Sequence, residues 1–104
     1  MKRQYVVGQI SNTMKRIAPE AQTILYGSEA RGDAKADSDI DLLILLNSPK
    51  VSPEREMEIT KSLYELEVNS GVIISTLILT RDQWEHRPFN TPFSINVLKE
   101  GVQI

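Results

Sequence analysis

Apolar residues recur at Val6, Ile10, Met14 and Ile17, spaced by four, four and three, which puts them on one face of a helix over Tyr5–Ala18. Lys15 and Arg16 fall in its last turn, where cations favour the helix dipole, and Pro19 helps to stop it. Gln22–Tyr26 is short and apolar-rich, so it reads as a strand running into Gly27-Ser28. A short helix is expected over 28–34, with Ser28 near its N-cap and Gly32 ending it. Ser38–Leu46 reads as a second strand whose Leu42-Leu43-Ile44-Leu45-Leu46 run suits burial on both faces. Ser52-Pro53-Glu54 has the cap, the proline and the first-turn acid of a helix start. Ile59, Leu63 and Leu66 continue that helix to about Val68, and Asn69-Ser70-Gly71 ends it. Val72–Thr80 is a third strand with little polar alternation. A short helix over Arg81–Arg87 holds Trp84. Another over Pro92–Glu100 turns Ile95 and Leu98 inward and stops at Gly101, and Val102-Gln103-Ile104 adds a short strand.

Strands this apolar need helices over them, so the expected class is α+β, a small α/β sandwich. The 104 residues amount to one domain, 1–104, with no linker, repeat or low-complexity stretch. Hydrophobic residues at 40% and charged residues at 25% exclude disordered, collagen-like and coiled-coil readings. A net charge of -2 makes nucleic acid an improbable general partner. Without cysteine there are no disulfides, thiolate zinc sites or cysteine nucleophiles, and His86 is the single histidine. The longest apolar run, Ile40–Leu46, is far short of the roughly 18 residues of a membrane helix, and no signal-peptide core follows Lys2-Arg3. The default compartment is the cytoplasm.

Candidate chemistry concentrates between Gly27 and Asp41. Asp39 and Asp41 are two apart on the expected strand, so both carboxylates project from one face while Ile40 enters the core. Paired carboxylates repel unless a cation sits between them, and hard oxygen donors of this type suit Mg²⁺ or Mn²⁺ together with substrate phosphates. Gly27 permits close backbone approach to a ligand, a helix starting at Ser28 aims free N–H groups at an anion, and the Arg31 guanidinium can fork onto phosphate. Taken singly, each part has an ordinary reading: a turn, a solvated strand end, a surface ion pair. Together they make an anion cradle beside a metal-binding acid pair, which is what a nucleoside triphosphate requires.

Gly27-Ser28, ten intervening residues and Asp39-Ile40-Asp41 resemble the Gly-Ser-x10-Asp-x-Asp signature of the nucleotidyltransferase superfamily related to DNA polymerase β. The fuller run, from Gly27-Ser28 through Ala30-Arg31-Gly32 and Ser38-Asp39-Ile40-Asp41-Leu42-Leu43, is similar to its minimal nucleotidyltransferase branch. The resemblance implies a small mixed sheet packed against helices. It also implies Asp39 and Asp41 as metal-holding catalytic residues, and Gly27, Ser28 and Arg31 at the nucleotide. The implied reaction transfers a nucleoside monophosphate, AMP from ATP, to a hydroxyl. Such proteins often pair with a HEPN-type partner as the antitoxin of a toxin–antitoxin pair, adenylylating a tyrosine of that partner. Active members usually carry a third carboxylate on a later strand. Here Val72–Leu79 contains no Asp or Glu, and Ser75 or Thr76 falls near that place. A binding module of the same fold, acting through an interface, is therefore the alternative. A chain this short leaves no room for an acceptor-binding domain, so the acceptor is expected from a partner chain or a second copy.

Among the remaining residues, Trp84, Phe89 and Phe93 are expected as core or interface anchors, and Tyr26 and Tyr64 as packing residues. Glu54, Glu56, Glu58, Glu65 and Glu67 are expected on the solvated face of their helix.

Overall fold

The structure is a computed structural model and describes residues 2–104. Along the chain run α1 (Lys2–Ile17), β1 (Gln22–Tyr26), α2 (Ser28–Arg31), β2 (Ile40–Leu46), α3 (Pro53–Ser70), β3 (Ile74–Thr80), α4 (Arg81–Glu85), α5 (Pro92–Glu100) and β4 (Val102–Gln103). The sheet order is β3-β2-β1-β4. β1 is antiparallel to both β2 and β4, whereas β2 and β3 are parallel and joined through α3. The expected α+β class and mixed sheet are both present.

β2 is the axis of the molecule. Its side chains alternate between two apolar layers, as a strand flanked on both faces requires. Ile40, Leu42, Ile44 and Leu46 meet Val6, Ile10 and Met14 of α1 and Ile59 and Leu63 of α3. Leu43 and Leu45 face the other way, against Trp84 of α4 and Val97 of α5, with Ile24, Tyr26, Leu79 and Phe93 packed around them. Local sequence fixes the helix ends. The Ser52 hydroxyl accepts from Arg55 N–H at the start of α3, and Gly71 closes that helix at φ 75. Thr80 and Gln83 form a capping box on α4, and Thr91 and Ser94 form one on α5.

Several expectations are corrected. On α5 the inward residues are Ser94 and Val97, while Ile95 and Leu98 are 50% and 59% exposed. The Ser94 hydroxyl is engaged with Thr91 in the capping box, so this polar residue can be buried at little cost, and its placement turns the helix. Tyr64 is exposed rather than packed, and Phe89 is no core residue. Glu67 leaves the solvated face of α3, and its Oε1 accepts from Ile74 N–H at 2.8 Å. β3 is an edge strand and only half-buried, because a strand beside β2 alone has one flank open. At its far end Gln83 Oε1 accepts from Thr80 N–H at 2.9 Å.

Candidate active site

The site forms where β1 ends and β2 begins. Gly27 leaves β1 at φ 78, ψ -155, a conformation that favours glycine. A Cβ at this position would lie 2.5 Å from Asp41 Oδ2. Glycine is thus required twice, by the backbone angle and by the carboxylate pressed against it. Gly27 is the N-cap with Ser28 next to it, and α2 is a single turn in which Arg31 N–H reaches Gly27 O at 3.0 Å. The N–H groups ahead of Arg31 in that turn have no intrahelical acceptor. Gly32 then ends the helix at φ 83, as expected of it.

Asp41 lies on β2 directly opposite Tyr26 of β1 and Ser75 of β3. These three residues form a row across the sheet, on the face that carries Leu43 and Leu45. Asp39 falls just before β2 rather than within it, because β2 pairing begins at Ile40, whose N–H donates to Ile73 O at 2.8 Å. The structure nevertheless joins Asp39 to the same row: Ser75 Oγ donates to Asp39 Oδ2 at 3.2 Å. Ser75 therefore occupies the position beside the acid pair where a third carboxylate was sought. The described residues contain no group of three or more His, Cys, Asp or Glu able to hold a metal ion.

Electrostatics mark Asp41 as the unrelieved member. Burial raises its pKa above the ordinary carboxylate range, the Asp39 charge raises it further, and Arg31 works in the opposite direction. Tyr26 is raised above the usual phenol value by burial and then by the facing Asp41 charge. The donor set suits a divalent cation. It offers two hard carboxylates whose repulsion a cation would relieve, as in magnesium sites completed by water and substrate phosphates.

Arg31 is close enough for Asp41 to feel its charge, but its guanidinium is not free. Nη1 lies 3.1 Å from both carboxylate oxygens of Glu100, and Nε lies 3.2 Å from Asp33 Oδ2. These carboxylates now occupy the donors expected to meet phosphate. Beyond Tyr26 an aromatic chain continues. Phe93 meets Tyr26 edge-on at 5.3 Å and Trp84 at 6.2 Å, and the Arg87 guanidinium sits 4.5 Å above the Trp84 ring. Trp84 and Phe93 are thus the anchors expected of them, and they line an apolar cleft with Leu77 and Leu79 on the same side of the sheet.

Sequence reasoning missed Glu100 and Arg3. Glu100 belongs to the last turn of α5, remote in sequence from the motif. Arg3 is buried, and its Nε donates to Glu29 Oε1 at 2.6 Å. The one sequence signal was a basic residue in the first turn of α1, where no acid is present and where the dipole disfavours a cation.

Residues 7–104 match the model of the nucleotidyltransferase domain family. A search of curated proteins finds no match. Among solved structures, the fold is similar to a chain assigned as a minimal nucleotidyltransferase, at 22% identity over 100% of this chain and 97% of that one, TM-score 0.62. It is also similar to a chain of a toxin–antitoxin crystal structure with AMP-PNP, at 18% identity over 92% of this chain and 69% of that one, TM-score 0.63. A third similar structure is a mutant form of the toxin–antitoxin MntA-HpeT, at 18% identity over 93% of this chain and 69% of that one, TM-score 0.61.

Proposed function

Because the chain belongs to the nucleotidyltransferase domain family, we propose that it transfers a nucleoside monophosphate, AMP from ATP, to a hydroxyl of a partner protein of the HEPN type, as the antitoxin of a toxin–antitoxin pair. The observation that carries this reading is the contact between the two halves of the motif. Asp41 Oδ2 lies only 2.5 Å from where a Cβ of Gly27 would be, so a phosphate held by the turn would lie beside the acid pair. The toxin–antitoxin chains of the same fold, one of them with AMP-PNP, support an ATP-like nucleotide and a protein partner.

In this mechanism the backbone at Gly27-Ser28 holds the phosphates, and Asp39 and Asp41 hold Mg²⁺ or Mn²⁺. When bound, the divalent ion neutralises phosphate oxygens and the charge that develops in an in-line displacement. The acceptor oxygen bonds to the α-phosphorus as the bond to the bridging oxygen breaks, and pyrophosphate leaves. The acceptor proton passes to solvent, since Ser75 is not a base of useful strength at neutral pH. Arg31 exchanges Glu100 and Asp33 for phosphate oxygens, trading two carboxylates for the same charge-assisted geometry.

Labelled ATP, Mg²⁺ and the product of the neighbouring gene test the reading. Label should move to the partner with the wild type and not with Asp39→Ala or Asp41→Ala. No transfer by the wild type, with complex formation unaffected by either substitution, would instead favour a binding module. That second reading rests on Ser75 standing in the third acidic position.

A further inference from the structure

Among the ion pairs of the described residues, the most buried joins Arg3 of α1 to Glu29 of α2. Their side chains are 8% and 15% exposed, and Arg3 Nε lies 2.6 Å from Glu29 Oε1. The same guanidinium reaches past α2: Nη1 donates to Ala36 O at 3.3 Å, while Nη2 is buried without a partner. One side chain thus holds both α2 and the segment that leads from it to Asp39.

This arrangement is a poor way to stabilise a fold. A cation in the first turn of α1 opposes the helix dipole. A buried ion pair contributes little over well-packed apolar residues, and an orphaned buried donor adds a cost. The gain lies in position. The other polar contacts of residues 32–38 are short-range: Gly32 and Asp33 N–H to Ser28 O, Arg31 to Asp33, and a mutual pair between Lys35 and Ser38. Of these, only the Arg31 contact leads on to another part of the fold, through Glu100 of α5. Arg3 precedes residues 7–104, over which the family is matched, whereas its partner Glu29 lies within them.

We infer that Arg3 is a positioning residue, which fixes α2 and the 32–38 segment against α1 so that Gly27-Ser28 and Asp39 keep one register for the nucleotide. This rests on the nucleotide reading above for its functional half and on the structure alone for its mechanical half. Fork geometry matters, because a lysine ammonium can meet Glu29 but cannot also span to Ala36 O.

Amide hydrogen exchange and Mg-ATP calorimetry on the full chain test it. In Arg3→Met/Glu29→Met both charges go, so the fold persists with a similar melting temperature. The Gly32, Asp33 and Ser38 amides should then exchange at least about tenfold faster. Mg-ATP should bind about tenfold more weakly, the order of loss expected when an outer contact orients a binding group. Arg3→Lys should free Ser38 while leaving Gly32 and Asp33 protected, a split that simple destabilisation does not produce. Unchanged exchange in the double variant overturns the inference, and so does faster exchange with wild-type Mg-ATP affinity. If the wild type itself fails to bind Mg-ATP, the nucleotide reading falls and the exchange pattern alone decides the clamp.

Discussion

The two faces of the sheet are built from one strand and do opposite work. Toward α1 and α3, Ile40, Leu42, Ile44 and Leu46 close into an unbroken apolar layer. Toward α4 and α5, Leu43 and Leu45 are covered, but the row below them is Tyr26, Asp41 and Ser75, where Asp41 is only partly buried. A single residue step along β2 therefore separates positions chosen for burial from positions that carry charge at a cost to the fold. The lesson is that stability and chemistry here are partitioned by strand parity, not by region of the chain.

That partition can be broken most severely from the closed side. Leu42→Ala, fully buried, should cost about 2–5 kcal/mol in denaturant unfolding, through lost transfer energy and a cavity between the helices. On the open side the sign reverses. Asp41→Asn should abolish label transfer, a loss beyond about 100-fold for a direct ligand, yet raise the melting temperature of metal-free protein. Because the folded state raises the Asp41 pKa, ionisation at neutral pH works against folding. The advantage of the Asn variant should be full near pH 7–8 and shrink as pH falls through the raised value. It should vanish near the unfolded carboxylate value, which melting curves in chelator from pH 4 to 8 will read.

Ser75→Asp sharpens the contrast further. A third carboxylate beside Asp39 should tighten Mg²⁺ binding by about tenfold through added ligand charge and lower the metal-free melting temperature. Calorimetry and thermal scans check the two halves. The smallest effect belongs to a residue that neither face uses. Leu98→Ser, on the outer side of α5, should leave stability within about 0.5 kcal/mol. A larger loss would show that α5 packs on its Ile95–Leu98 side after all.

Much of this was legible in the chain. The Ser52-Pro53 cap, the Leu42–Leu46 run and the Gly27 to Asp41 spacing each state a local physical demand, and the structure meets all three. What escaped depended on how elements pack or on partners distant in sequence. The apolar residues of α5 pointed to Ile95 and Leu98, but the Thr91–Ser94 box turned the helix to bury a serine. The composition of β3 suggested a buried strand, yet strand order is a property of the whole sheet, and at the edge the same residues are half-open. Arg3 and Glu29 are 26 residues apart, and nothing local in either marks the other.

The caps on β3 carry a consequence for how molecules of this protein meet one another. An exposed strand flank is a template for another chain, through the row of unpaired N–H and C=O groups it presents. Ile74 and Thr80, at the two ends of that flank, have already given their N–H groups to Glu67 and Gln83. Between them only Thr76 and Ile78 share the same outward direction, since backbone groups alternate along a strand. Two side chains from neighbouring helices thus shorten the run of free N–H donors that this edge offers to another strand.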